Sequence, residues 1–130
     1  MPEGFLQIGE VAERAELSLR TVRYYEEQGL LTPARRSDGG FRLYTDEQVQ
    51  RLLVIKQMKP LDFSVEQMRE LLTARDALAD PATPAAARSE ARATIAAFAA
   101  DVATRVTKLR TRLANAESFA ATLRAESGEG

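Results

Sequence analysis

From residue 85 to residue 124 the chain holds neither glycine nor proline. A stretch of 40 residues without a breaker reads as one helix, about 60 Å long at 1.5 Å per residue. Ile95, Phe98, Val102, Val106, Leu109, Leu113, Ala116, Ala120 and Leu123 recur along it at steps of three and four, averaging the 3.5-residue period of a coiled coil. Alone, such a helix would expose its apolar seam to water. A second copy is the simplest cover, so these residues are expected at the seam of a homodimer. Phe119 beside Ala120 marks a drift of the seam near its end, and Arg105, Lys108, Arg110 and Arg112 read as its charged flanks.

The residues before this helix have a different grain. Ile8, Val11, Ala12 and Ala15 fall at i, i+3, i+4 and i+7, the stripe of a short amphipathic helix. Ser18 is the N-cap of a second helix, residues 19–28, with Leu19, Val22 and Tyr25 on its apolar side and Arg20, Thr21 and Tyr24 opposite. Gly29 suits the left-handed position that follows, and Leu30 the apolar contact that goes with it. Two short helices joined by residues 16–18 form a helix-turn-helix.

Thr32-Pro33 stops the helical pattern, and residues 34–36 and 41–43 flank the Asp38-Gly39 turn pair of a β-hairpin. Arg35, Arg36 and Arg42 project from it, which suits contact outside the core. Residues 45–48 and 64–67 spell two capping boxes, with Tyr44/Val49 and Phe63/Met68 as hydrophobic staples. A third helix therefore runs to about residue 58, and a fourth, apolar at Val65, Met68, Leu71 and Leu72, to about residue 78. The expected organisation is a mainly α, winged helix-turn-helix domain with a small hairpin wing over residues 1–78, and a linker over 79–84 in which Thr83 caps and Pro84 opens the next helix. A coiled-coil dimerisation helix over 85–125 and a frayed tail over 126–130 complete it.

Composition closes other routes. With no Cys and no His, thiolate nucleophiles, imidazole acid–base catalysis and Cys/His metal sites are excluded, so no catalytic residue, metal site or cofactor is assigned. Asp76 and Asp80 read as solvated linker residues rather than a carboxylate metal site. The net charge of −1 is unevenly spread: residues 1–60 are neutral, 61–83 carry −3 and 84–124 carry +4. No segment is a generic polycation, so nucleic acid would be held by placed side chains. A basic-then-apolar leader and a run of about 18 uncharged apolar residues are both missing, which points to a cytoplasmic protein with no membrane partner.

Four motifs stand in a telling order: Ile8-Gly9-Glu10-Val11-Ala12; Thr21-Val22-Arg23-Tyr24-Tyr25-Glu26-Glu27-Gln28-Gly29-Leu30-Leu31; Gly40-Phe41-Arg42-Leu43-Tyr44; and Phe63-Ser64-Val65-Glu66-Gln67-Met68. Through them residues 6–72 resemble the winged helix-turn-helix domain of the MerR family of bacterial transcription regulators. The resemblance implies a homodimer joined by an antiparallel coil, bound to an inverted repeat in double-stranded promoter DNA. It further implies a regulator that kinks and untwists an overlong promoter spacer so that RNA polymerase engages both of its elements.

Arg20, Thr21 and Tyr24 face away from the apolar side and are the candidates for base edges and nearby phosphates, with Ser18 counted beside them. Arg23 matches the family's DNA-contacting arginine. Phe41, Arg42 and Tyr44 match its wing positions on the sugar-phosphate backbone, Arg35 and Arg36 add charge, and Lys59 matches the basic position opening a second wing. This chain reads Leu61-Asp62-Phe63 where the family typically has a glycine between Leu and Phe. Without Cys, the family's metal, iron–sulfur and aldehyde sensing through thiols is closed, and the large ligand-binding domains of some relatives are not expected after the coil. The small-molecule effector is left unknown. Control by a protein partner or by abundance is favoured over an apolar or cationic ligand between the coil and the fourth helix, because two elements would struggle to enclose roughly 300 Å³. The competing reading is a coiled-coil interaction adaptor on a winged-helix scaffold; an enzyme has no supporting residues.

Overall fold

A computed structural model describes residues 4–33 and 35–128; Ala34 of the expected first strand, Met1, and Glu129 and Gly130 of the expected tail lie outside the described residues. Helix α1 spans Ile8–Ala15 and buries Val11, Ala12 and Ala15. Its end turns through Glu16 in the left-handed region (φ 56°). Lys56 donates from Nζ to the Ala15 carbonyl at 3.0 Å, satisfying an acceptor that the helix end leaves open.

Helix α2, Leu19–Glu27, starts at Ser18, whose Oγ accepts the Thr21 N–H at 3.1 Å. It closes with a Schellman pattern: Leu30 N–H donates to the Tyr25 carbonyl and Gly29 N–H to the Glu26 carbonyl, both at 3.0 Å, with Gly29 at φ 79°. Val22 and Tyr25 are buried, but Leu19, expected beside them, is 42% exposed. At 100° per residue Leu19 stands about 120° from Tyr25, beyond the edge of a stripe centred on the other two.

Strands β1, Arg35–Arg36, and β2, Arg42–Leu43, pair antiparallel with Arg35 opposite Leu43 and Arg36 opposite Arg42. The turn is not a two-residue Asp38-Gly39 link. Gly40 N–H donates to the Ser37 carbonyl at 2.9 Å, and the left-handed residue is Gly40 (φ 81°), so residues 38–40 form a three-residue loop. Tyr44 and Leu6 exchange two backbone hydrogen bonds of 2.7 Å, adding a one-residue bridge to the hairpin.

Helix α3, Asp46–Met58, buries Val49, Leu52, Ile55 and Met58. Its expected capping box does not form. Thr45 makes no side-chain cap, and Gln48 turns its side-chain oxygen to the Thr32 N–H at 3.4 Å, meeting a loop donor instead. The box at helix α4, Val65–Ala79, is complete: Ser64 Oγ accepts from Gln67 N–H at 3.1 Å and Gln67 Oε1 from Ser64 N–H at 2.9 Å. Between the two helices Lys59–Leu61 make a 3-10 turn, and Asp62 follows at φ 64°. Glycine is free of the Cβ clash there, so Asp62→Gly should leave stability unchanged or raise it by a few tenths of a kcal/mol, while β-branched Asp62→Val should cost about 1–2 kcal/mol. Thermal melts of the two variants check this; a Val variant as stable as the parent would contradict it.

Helix α5 is continuous over Ala85–Glu126, one residue past the expected 85–125, and Pro84 takes the N-cap place expected of Thr83. Thr83 N–H is engaged in a turn to the Asp80 carbonyl at 3.2 Å, which sets the chain one residue later. Phe98 joins the central core of Val22, Leu30, Leu31, Tyr44, Leu52, Ile55, Phe63, Met68 and Leu72, with Val102 packed against it and its ring 5.8 Å from that of Phe63. The expected seam is thereby divided. Phe98 is covered within the chain, whereas Leu109 (39%), Leu113 (60%) and Leu123 (47%) are exposed. Spacing shows that a residue faces an apolar surface, not which surface covers it.

Candidate nucleic-acid interface

The outer face of α2 presents Arg20, Arg23 and Tyr24, all exposed, with Thr21 half-buried. Neither arginine forms an ion pair with another described residue. Tyr24 is 47% exposed and its ring meets the buried Tyr25 edge-on at 5.4 Å, so the underlying core fixes its angle. Burial, and next the neighbouring Tyr24, hold the Tyr25 phenol above its ordinary range. Ser18, counted with this face, has its hydroxyl committed to the helix: besides accepting from Thr21 N–H it donates to Thr21 Oγ1 at 2.9 Å.

On the hairpin, Arg35, Arg36, Phe41 and Arg42 are exposed. Phe41 is 63% exposed at the tip, and the Arg36 guanidinium braces that tip by donating to the Gly40 carbonyl at 3.0 Å. Arg35 lies 4.8 Å over the Phe5 ring. Tyr44 corrects the reading of the wing, for it is fully buried. Its hydroxyl donates to Glu26 on α2, and Arg42 Nη1 donates to the other oxygen of the same carboxylate. Burial first, then the hydrogen bond to Glu26, raise the Tyr44 phenol far above its usual range, so it remains a donor at any ordinary pH.

Glu26 carries the link between helix and hairpin, and sequence reasoning passed over it. Its neighbours in spacing are Arg23 and Glu27, whereas its partners lie 16 and 18 residues away. Lys59 sits exposed on the 3-10 turn. That turn is tied to α5 by Arg105, which stacks 3.8 Å over the Phe63 ring, donates to the Leu61 carbonyl at 2.7 Å and pairs with Asp101 at 2.9 Å. Arg105 is therefore a brace rather than a flank of a seam. Two clefts of about 440 and 360 Å³ run along α4 and α5, lined by Ala74, Ala77, Ala91, Ala97 and Phe98 with Glu70 and Glu90 at their rims. They have the volume of ligand sites, but they lie open. Among the described residues no helix is long and apolar enough to cross a membrane.

A helix-turn-helix whose second helix shows unpaired cations, flanked by a basic hairpin fixed to that helix, defines a winged helix-turn-helix protein. Comparison with known proteins agrees. The profile "MerR HTH family regulatory protein" matches residues 6–75, and "MerR, DNA binding" matches residues 49–125. The chain belongs to the MerR family of regulatory proteins, which are not enzymes. It is 48% identical over 69 residues to the HTH-type transcriptional regulator ZntR of Escherichia coli K12, an alignment covering 53% of this chain and 49% of that protein, so the chain spans about half the length of this relative. The transcription regulator PbrR691 of Ralstonia metallidurans CH34, solved with lead(II), is 37% identical with a TM-score of 0.55, covering 82% of this chain and 78% of that one. HiNmlR, a MerR family regulator lacking the sensor domain and solved on promoter DNA, shares the fold at 21% identity and a TM-score of 0.61, covering 84% and 78%.

Proposed function

We propose that the protein is a homodimeric transcription regulator that binds an inverted repeat in promoter DNA and acts by distorting it. The observation that carries this is the assembly of Arg20, Arg23, Tyr24 and Arg42 on two elements joined through Glu26, in a chain of the MerR family. In this reading α2 enters the major groove, where Arg20, Thr21 and Tyr24 meet base edges and Arg23 a phosphate. Arg35, Arg36, Phe41 and Arg42 hold the backbone beside it, and Lys59 holds it at a second wing. Exposed Leu109, Leu113 and Leu123 join two copies, placing two reading helices on one operator. Bending of the base pairs between the half-sites then sets the output, and RNA polymerase is the partner that reads it.

PbrR691 was solved with lead(II). Without Cys or His, these residues offer no thiolate or imidazole for such an ion, which argues against a thiophilic metal as the signal. Binding assays on the reading face test the proposal. Arg42→Ala should weaken binding to every duplex tested and lower the slope of log affinity against log salt by about one, whereas Arg20→Ala should lose about 1–3 kcal/mol at the bases it reads. Unchanged affinity in both folded variants would remove DNA binding from this face.

A further inference from the structure

Among the described residues, the polar join between the reading helix and the wing is one carboxylate wide. Glu26 sits at the inner end of α2 with its side chain 13% exposed, and its two oxygens take one donor each from Arg42 and Tyr44 on the hairpin side. Tyr44 cannot yield, being fully buried and fixed by two backbone bonds to Leu6. Glu26 is thus anchored from below by a phenol and holds a guanidinium above. The Arg42 side chain is 45% exposed, and among the described residues only its Nη1 is engaged. A guanidinium carries five N–H groups in a planar fork, so those not facing Glu26 are aimed outward as a set.

We infer that Glu26 is a positioning residue for sequence reading: through Arg42 and Tyr44 it locks the wing to α2 in one orientation, and it presents the free edge of Arg42 to a backbone phosphate. The inference rests on the DNA-binding reading above. Its consequence is a trade between affinity and discrimination. A carboxylate next to a phosphate site repels nucleic acid in general, so what Glu26 adds to reading comes from the geometry it fixes. Only a duplex whose backbone and base edges fit both elements at the locked angle gains the full set of contacts.

The experiment uses the full chain and a duplex that the wild-type protein enriches from a random library spanning two half-sites, with its shuffled sequence as the unrelated duplex. Glu26→Gln keeps an oxygen for Tyr44 but removes the charge that holds Arg42. It should bind the enriched duplex about tenfold more weakly and the shuffled one as well or better, compressing the ratio of the two at least tenfold. A merely structural defect lowers both affinities by the same unfolded fraction and leaves that ratio alone. Tyr44→Phe, which keeps the ion pair, should lose thermal stability while preserving most of the ratio. A wild-type ratio in folded Glu26→Gln overturns the positioning role while leaving DNA binding intact. Failure of the wild-type protein to enrich any duplex overturns both.

Discussion

Replacing Leu109 and Leu113 together with glutamate should convert the protein to monomers and abolish tight operator binding. Both side chains lie outside the core, at 39% and 60% exposure, so the variant should fold. In a dimer the change removes four leucines from the seam, each contributing about 1.5–3 kcal/mol on burial, and sets four carboxylates in their place. Few interfaces built on one helix per copy survive that. Loss of the second half-site removes the effective-concentration gain, about 10²–10⁴ in affinity. Sedimentation reads the first effect and operator titration the second. A dimer that persists in the double variant would reassign the seam.

Phe98→Ala should act on the other half of the same helix. Phe98 is 9% exposed and packs on the central core with its ring against Phe63. Truncation should cost about 3–5 kcal/mol, because the pocket is walled by several elements and cannot collapse around the smaller side chain. Against a stability of about 5–15 kcal/mol that is a large share, visible as a melting temperature lower by roughly 10 °C at fixed protein concentration. The damage should reach the 3-10 turn, since Arg105, two turns on, loses its fixed approach to Leu61 and Phe63. A loss below about 1 kcal/mol would mean that α5 does not rest on this residue.

Periodicity and caps made most of the fold legible. The stripe of α1, the Ser18 and Ser64 caps, the Gly29 terminus and the unbroken α5 are local signals, each read within a few residues. What escaped was non-local. Gln48 serves Thr32 rather than its own helix end, and Glu26 serves Arg42 and Tyr44, 16 and 18 residues away. Tyr44 has the composition of a contact residue and the position of a core residue, which the bridge to Leu6 decides. The candidate site reads in the sequence as a cluster of arginines, but the carboxylate that accepts from Arg42 and Tyr44 does not stand out, because an acid among cations gives no spacing of its own. Phe98 shows the same limit on an apolar stripe: the period was right, and the covering surface was a different one.

The ends of the short helices are held by cations from elsewhere in the chain. Lys56 serves α1, Arg51 and Arg69 serve the carbonyls of Leu30 and Gln28 just after α2, and Arg88 serves those of Leu78 in the last turn of α4 and Asp80 at its C-cap. The reading helix is in this way bolted to α3 and α4, and α4 lies along α5. Past Arg105, α5 runs on for 21 residues, a lever arm of about 30 Å. A tilt of about five degrees at its root moves the tip by about 3 Å, close to one base-pair step of 3.4 Å. In the proposed dimer the stiffness of a single helix, not the slack of a linker, sets how far apart two reading helices can stand. An operator with one base pair inserted at its centre should, in that dimer, meet the stiffness as an elastic load on α5.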